Sequence, residues 1–216
     1  MQMLYFILAG LIGYLCGSIP FGYLYVRLFK GEDLRKIGSG RTGGTNVMRA
    51  AGFWVGLLTA LSDIAKGSAA ALAARALLPA TDASMGMVLA GLAAIAGHNY
   101  PIWLGFKGGA GGATCAGAAL VMWPWLGPIL IGLGALILYF VGYASVATIS
   151  VAVTTTVVFA ILAWWVMPGA FDPLFVLYGV GAIVLLAWSL RPNFRRLIRG
   201  EERLVGRRAK KKLQSA

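Results

Sequence analysis

Two glycine-rich stretches hold most of the residues in this chain whose types and spacing suit chemistry. The first reads Gly38-Ser39-Gly40-Arg41-Thr42-Gly43-Gly44-Thr45-Asn46-Val47-Met48-Arg49. The second runs from Gly97 to Thr114 and holds the only histidine, His98, with Lys107, Gly108, Gly109, Gly111 and Gly112 close behind. Glycines let backbone N–H groups approach an anion closely, and a helix that starts just after them adds positive potential. Lys107 adds a point charge. Arg49 can grip phosphate oxygens with two parallel bonds, and Ser39, Thr42, Thr45 and Asn46 offer short polar groups. Both stretches therefore read as phosphate cradles. The competing reading is a pair of loops whose glycines serve only tight turns.

The first stretch also contains the pattern G-x-G-x-x-G, from Gly38 to Gly43. As a dinucleotide fingerprint it fails, because no strand precedes it and no β-α-β unit is available. Asp63 and Lys66 lie inside an apolar segment, on one helical face, where they can pair. Charges in such a segment are costly and face a bundle interior or a wet cavity. Ser145 and Thr148 open another apolar segment, where they can line the same cavity or bond their own helix backbone. His98 has no orienting acid near it in sequence, although Asp63 can approach it in space. With one histidine and two cysteines far apart, Cys16 and Cys115, neither a disulfide framework nor a transition-metal cluster is expected.

The elements that position these residues follow from composition. The 216 residues are 59% hydrophobic and only 12% charged, with a mean hydropathy of +0.80. That is far above a soluble domain and makes the chain an all-α, polytopic membrane protein. The net charge is +12. The basic residues gather at the ends of apolar segments and in one tail, a pattern of membrane topology and anionic lipid rather than of nucleic-acid binding. Met1 to Leu15 lacks a positive n-region, so the first apolar run is expected to stay as a helix.

A spanning helix needs roughly 20 apolar residues, and about seven candidates appear. They are Leu4–Val26, Phe53–Leu78, Ser84–Ala96, Ala113–Trp123, Trp125–Val141, Ser145–Met167 and Pro173–Leu190, separated by Pro79, Pro124, Gly142 and Pro168–Gly169. The third and fourth are short for full spans. Gly13 and Gly17, four apart in the first, suit close helix packing. Lys30, Arg35, Lys36, Arg41, Arg49 and Lys107 fall in alternate connections with the tail, and the intervening connections carry no Lys or Arg. Seven spans then place the N-terminus outside and the C-terminus in the cytoplasm of a bacterial inner membrane. The division expected is a membrane domain over 1–198 and a basic cytoplasmic tail over 199–216.

Taken together, these stretches resemble the PlsY family of bacterial membrane acyltransferases. The similarity includes Gly17-Ser18-Ile19-Pro20-Phe21-Gly22, the Gly38–Arg49 loop, Asp63-x-x-Lys66-Gly67 and Gly97-His98 with Pro101. It continues through Phe106-Lys107-Gly108-Gly109-x-Gly111-x-Ala113-Thr114 to Arg191-x-Asn193-x-x-Arg196-Leu197-x-x-Gly200-x-Glu202. The resemblance implies seven helices, an active site at the cytoplasmic face, and transfer of an acyl group from acyl phosphate to glycerol 3-phosphate, giving lysophosphatidic acid. It also implies no acyl-enzyme intermediate. Acyl phosphate is already an activated mixed anhydride, so the protein works by positioning two substrates and balancing their charge. The His-x4-Asp pattern of other glycerolipid acyltransferases is absent, with Trp103 in the acid's place.

On this basis Ser39, Arg49, His98 and Asn193 form the expected catalytic set. Lys107, Gly108, Gly109, Gly111, Thr45, Asn46 and Lys66 form the expected substrate-phosphate set, with no metal and no cofactor. Three positions depart from the family pattern. Ala110 stands where a second lysine of the glycine turn is usual, Leu190 where a histidine is usual, and Arg41 where asparagine is usual. These departures leave open a second reading, a non-catalytic relative that binds lipid or serves as a structural subunit beside other membrane proteins.

Overall fold

The structure, a computed structural model, describes residues 2–206 and 208. Among these residues the regular structure is helical, apart from one isolated antiparallel bridge between Tyr143 and Leu204. The helices are α1 (Gln2–Ser18), α2 (Phe21–Lys30), α3 (Gly44–Ala51), α4 (Phe53–Leu77), α5 (Ala83–Asn99), α6 (Gly112–Met122), α7 (Leu126–Phe140), α8 (Ala144–Ile161) and α9 (Leu174–Ile198). Among the described residues five helical stretches are long and apolar enough to cross a membrane: Gln2–Lys30, Phe53–Leu77, Ala83–Leu104, Ala144–Val166 and Leu174–Ile198. Helices α6 and α7 are apolar but shorter. At about 1.5 Å per residue they reach less than the roughly 30 Å of a bilayer core.

The packing follows the logic of a protein solvated by lipid. Small residues fill the inside: Ala70, Ala71, Ala74, Ala90, Ala94 and Ala118 are fully buried. Large apolar side chains such as Leu28, Trp54, Leu72, Trp165 and Val184 face outward. Helices in lipid gain little from hiding large apolar groups and much from close backbone approach. Gly13 and Gly17 illustrate this, since a Cβ at either would strike the backbone of α5 at Ala90 and Ala94.

Three expected boundaries are corrected. The first segment is not continuous over Leu4–Val26. It breaks at Ile19–Pro20, where proline lacks an N–H and disfavours helix in the residue before it. Helix α5 extends beyond Ala96 to Asn99, so His98 lies in its last turn rather than in a loop. Helix α9 runs past Leu190 and through Pro192. The N–H missing at Pro192 would have bonded the Trp188 carbonyl, and Arg191 Nε donates to that oxygen instead at 3.0 Å.

After α9 the chain reverses at Gly200, whose φ is +70°. It then returns across the α7–α8 turn, where the Val205 N–H donates to Gly142 O at 2.8 Å and Arg208 Nε to Phe140 O at 2.9 Å. Glu202 and Val205 are buried. The first part of the segment expected as a tail is thus folded against the helices. Positions 207 and 209–216 lie outside the described residues.

Candidate active site

The first loop is shaped by one amide. Asn46 Oδ1 accepts the Ser39 N–H at 2.9 Å, and Asn46 Nδ2 donates to Ile37 O at 3.0 Å and to Arg41 O at 2.9 Å. These bonds curl residues 37–41 around a buried side chain. The curl requires left-handed backbone at Gly38 and Gly40, a conformation glycine adopts without steric cost. Asn46 is therefore an architect of the loop. Its amide has no proton left to offer a ligand.

The second loop folds back on the end of α5. The Gly108 N–H donates to Asn99 O at 3.1 Å and the Gly109 N–H to His98 O at 3.0 Å. Gly109 packs against the His98 imidazole, and a Cβ there would overlap Nε2. Gly111, at φ +83°, starts α6 without any capping side chain. The first N–H groups of that helix are the orphan donors every helix start carries, and Gly112 and Ala113 face a cavity.

That cavity has a volume of about 680 Å³. Ser39, Thr45 and Arg49 from the first loop and α3 line it, with His98, Ala110 and Gly111 from the second stretch. Ser145 and Thr148 of α8 line it too, as does Asn193 of α9. The two glycine-rich loops thus share one site, and Arg41 ties them. Its Nη1 donates to Gly109 O at 3.2 Å and to Ser189 Oγ at 3.2 Å, and its Nη2 donates to Ser189 O at 2.6 Å.

Several expected residues are placed elsewhere. Lys107 is exposed and does not line the cavity, and Gly108 and Gly109 use their N–H groups within the turn. Lys66 is buried behind the wall, with Nζ 2.8 Å from Asp63 Oδ1 and 2.8 Å from Ile19 O. Asp63 itself reaches the cavity. The approach of Asp63 to His98 anticipated above occurs, with 3.4 Å between Oδ1 and Nδ1. That separation is long for a hydrogen bond, and no bonding partner fills Nδ1.

Glu202 closes the series of motifs quoted above, and the sequence assigns it no role. Its Oε2 accepts from Ser145 Oγ at 2.6 Å and its Oε1 from Asn193 Nδ2 at 3.0 Å. Asn193 is thereby aimed at the cavity, with its own Oδ1 buried and unbonded. The available signal was a scarce acid, one of seven, in a strongly basic stretch.

The electrostatics of the lining are one-sided. Arg41, Arg49, Arg196 and Arg203 all contribute to the wall. Among the described residues none of them has a carboxylate within ion-pair distance. Burial lowers the proton affinity of the Arg41 guanidinium from its ordinary value, and Arg196 adds to the effect. Burial and then Arg203 do the same at Arg49. Arginine stays charged regardless, so these are cations held in unfavourable company that an entering phosphate would relieve.

A polytopic helical membrane protein with a cation-lined cavity at one end of its bundle is a membrane protein built to receive phosphorylated molecules. The chain belongs to the glycerol-3-phosphate acyltransferase family, whose model matches residues 7–200. It is 41% identical over 192 residues to the glycerol-3-phosphate acyltransferase of Anaeromyxobacter sp. (strain Fw109-5), covering 88% of this chain and 92% of that one. It is 36% identical to the one from Zymomonas mobilis subsp. mobilis, covering 90% and 93%. Among solved structures it resembles PlsY, an integral membrane glycerol 3-phosphate acyltransferase, in its glycerol 3-phosphate form. The TM-score is 0.77 at 32% identity, over 93% of this chain and 96% of that one. The lysophosphatidic acid form of PlsY matches with a TM-score of 0.74. The family resemblance drawn from the motifs holds.

Proposed function

We propose that this protein transfers a fatty acyl group from acyl phosphate to glycerol 3-phosphate, releasing phosphate and forming lysophosphatidic acid. The observation that carries this reading is a single cavity with two chemically different ends. The arginines and the start of α6 form a cationic mouth. Beyond it the wall becomes apolar, with Leu57 and Ile64 on α4, Leu130 and Leu138 on α7 and Val151 on α8. From Leu138 to Leu130 the slot follows α7 for about 12 Å, at 1.5 Å per residue. Phosphates belong at the mouth and the acyl chain in the slot, so the acyl carbonyl comes to rest at their junction.

In the step itself a glycerol 3-phosphate hydroxyl attacks the carbonyl carbon, forming the ester C–O bond. The anhydride C–O bond breaks and phosphate departs with its electron pair. The hydroxyl proton ends on that phosphate, which leaves as hydrogen phosphate, so the charge of the site is unchanged across the step. No protein nucleophile is required. Ser39 and Asn193 position the substrates, with Arg49 and the first turn of α6 holding negative charge that grows on the leaving group. Thr45 and Gly111 complete the mouth, and His98 braces the glycine turn from behind.

The placement proposed is the bacterial inner membrane, multi-pass, with the cavity and the C-terminus on the cytoplasmic side and the N-terminus outside. The basic loop before α4 and the basic end of α9 lie at the cavity end, while the α4–α5, α6–α7 and α8–α9 connections carry no Lys or Arg. The division proposed is a membrane domain over 1–198 and a basic segment over 199–216, whose first residues pack back on that domain.

The test is an assay of the purified protein in lipid nanodiscs with palmitoyl phosphate and glycerol 3-phosphate. Lysophosphatidic acid and phosphate should form in equal amounts. Binding of glycerol 3-phosphate without turnover, with other membrane proteins co-purifying, would support the subunit reading instead.

A further inference from the structure

The glycine turn that looks built for phosphate brings no charged side chain into the cavity. Its lysine, Lys107, is exposed and outside the lining, and the residue that faces the cavity between Gly109 and Gly111 is Ala110. The positive charge at this spot comes from the other loop. Arg41 is partly buried and lines the cavity, and it rests on the carbonyl of Gly109, immediately before Ala110.

Among the described residues, the way Arg41 is held leaves one edge free. A guanidinium has five N–H donors in a fixed fork. The bonds to Gly109 O, Ser189 Oγ and Ser189 O engage three of them, two on Nη1 and one on Nη2. Five less three leaves the Nε–H and the second Nη2–H. These two point the same way, along the side edge of the fork, which is the arrangement that takes two oxygens of one phosphate. The three bonds to protein lock the group in place, so little rotamer freedom is lost when an anion arrives. No carboxylate competes, because Asp63 is paired with Lys66 and Glu202 is bonded to Ser145 and Asn193.

We infer that Arg41 is a substrate-binding residue that supplies the cation the glycine turn does not itself bring into the cavity, gripping the phosphate of glycerol 3-phosphate with its free Nε/Nη2 edge. The same residue positions the turn against α9 through Gly109 and Ser189. This rests on the acyltransferase reading above and names the residue through which that site takes its acceptor.

The experiment is steady-state kinetics in nanodiscs with glycerol 3-phosphate varied, alongside thermal unfolding. The set is Arg41→Gln, Arg41→Lys, the double variant Arg41→Gln with Ala110→Lys, and Arg75→Gln as a control exposed at the far end of α4. Loss of a charge-assisted pair of bonds should raise the KM for glycerol 3-phosphate about ten- to over a hundredfold in Arg41→Gln. An amine introduced from Ala110 enters the same gap, so the double variant should recover most of that rise. Arg75→Gln should match the parent.

A purely structural role predicts something different: a lowered Tm, an unchanged KM, and no rescue by Ala110→Lys. That result would overturn the inference. If Arg41→Gln fails to fold, Arg41→Lys decides, because lysine keeps the charge but not the fork. A several-fold rise in KM supports phosphate binding, and a KM equal to the parent's refutes it. Absence of turnover in the parent protein itself would refute the acyltransferase reading, and with it this inference. An active parent whose Arg41 variants keep the parental KM would refute the inference alone.

Discussion

Asn193 donates to Glu202 at 3.0 Å across the reversal that follows α9. The other oxygen of that carboxylate receives the Ser145 hydroxyl at 2.6 Å. One buried acid thus joins the end of the last helix, the start of α8 and the segment that closes over the cavity. The arrangement fixes Asn193 in the wall and holds Arg203 beside Arg49, whose Nη2 is 3.4 Å from both Arg203 O and Leu204 O.

Removing that acid should loosen the whole mouth. Glu202→Ala strands a buried hydroxyl and a buried amide, each costing about 1–3 kcal/mol when left unbonded. Glu202→Gln keeps one acceptor and should lose less. Thermal unfolding in nanodiscs should rank the parent above Glu202→Gln and Glu202→Gln above Glu202→Ala. Equal stability of all three would show that the carboxylate is incidental.

Gly109 tests the seat of His98. A methyl group there overlaps the imidazole, and overpacking of this kind costs about 1–3 kcal/mol. Gly132→Ala on α7 is the matched comparison, because nothing lies within 4 Å of its added Cβ. The helix should accept it with a gain of up to about 1 kcal/mol. Gly109→Ala should lower both Tm and turnover while Gly132→Ala lowers neither. Identical behaviour of the two would remove the packing argument.

Much of this architecture was legible in the residues. Gly13 and Gly17 announced a close helix contact, the prolines and glycines between apolar runs marked most helix ends, and the two glycine-rich loops, each read as a phosphate cradle, line one cavity. What escaped was the choice of partner. Lys66 reads both as a partner of Asp63 and as a phosphate ligand, and it is found on Asp63 and Ile19, whereas Lys107 reads as a phosphate ligand and is exposed to solvent. Arg41 reads as a departure from the family pattern, but its anchor on Ser189, far along the chain, comes only from the fold that brings the two together. Glu202 gives no hint of Ser145, 57 residues earlier. Periodicity and turn chemistry are local, whereas the pairing of a buried polar group is decided by which helix the bundle sets against it.

The contrast between the lysine and the arginine at the glycine turn is measurable. Lys107 is exposed, where a charge is screened by solvent and salt and typically contributes well under 1 kcal/mol. Lys107→Ala should therefore raise the KM for glycerol 3-phosphate less than about fivefold, and the effect should shrink as salt is added. A larger, salt-independent rise would mean that Lys107 swings into the cavity when substrate is bound.

The buried pair of Lys66 and Asp63 is expected to act through the fold. Its charges are 2.8 Å apart, and both side chains are about 3% exposed. Removing one charge leaves the other uncompensated inside the bundle, a cost of about 3–5 kcal/mol, whereas replacing both by neutral groups is often close to neutral. Lys66→Met should therefore unfold at a much lower temperature than the parent. Adding Asp63→Asn should recover at least half of the loss, even though His98 then faces an amide at a distance of 3.4 Å in the parent structure. The double-mutant cycle isolates the coupling between the two residues. A coupling energy below about 0.5 kcal/mol would mean that they do not stabilise each other, and Lys66 would return to consideration as a ligand for substrate phosphate.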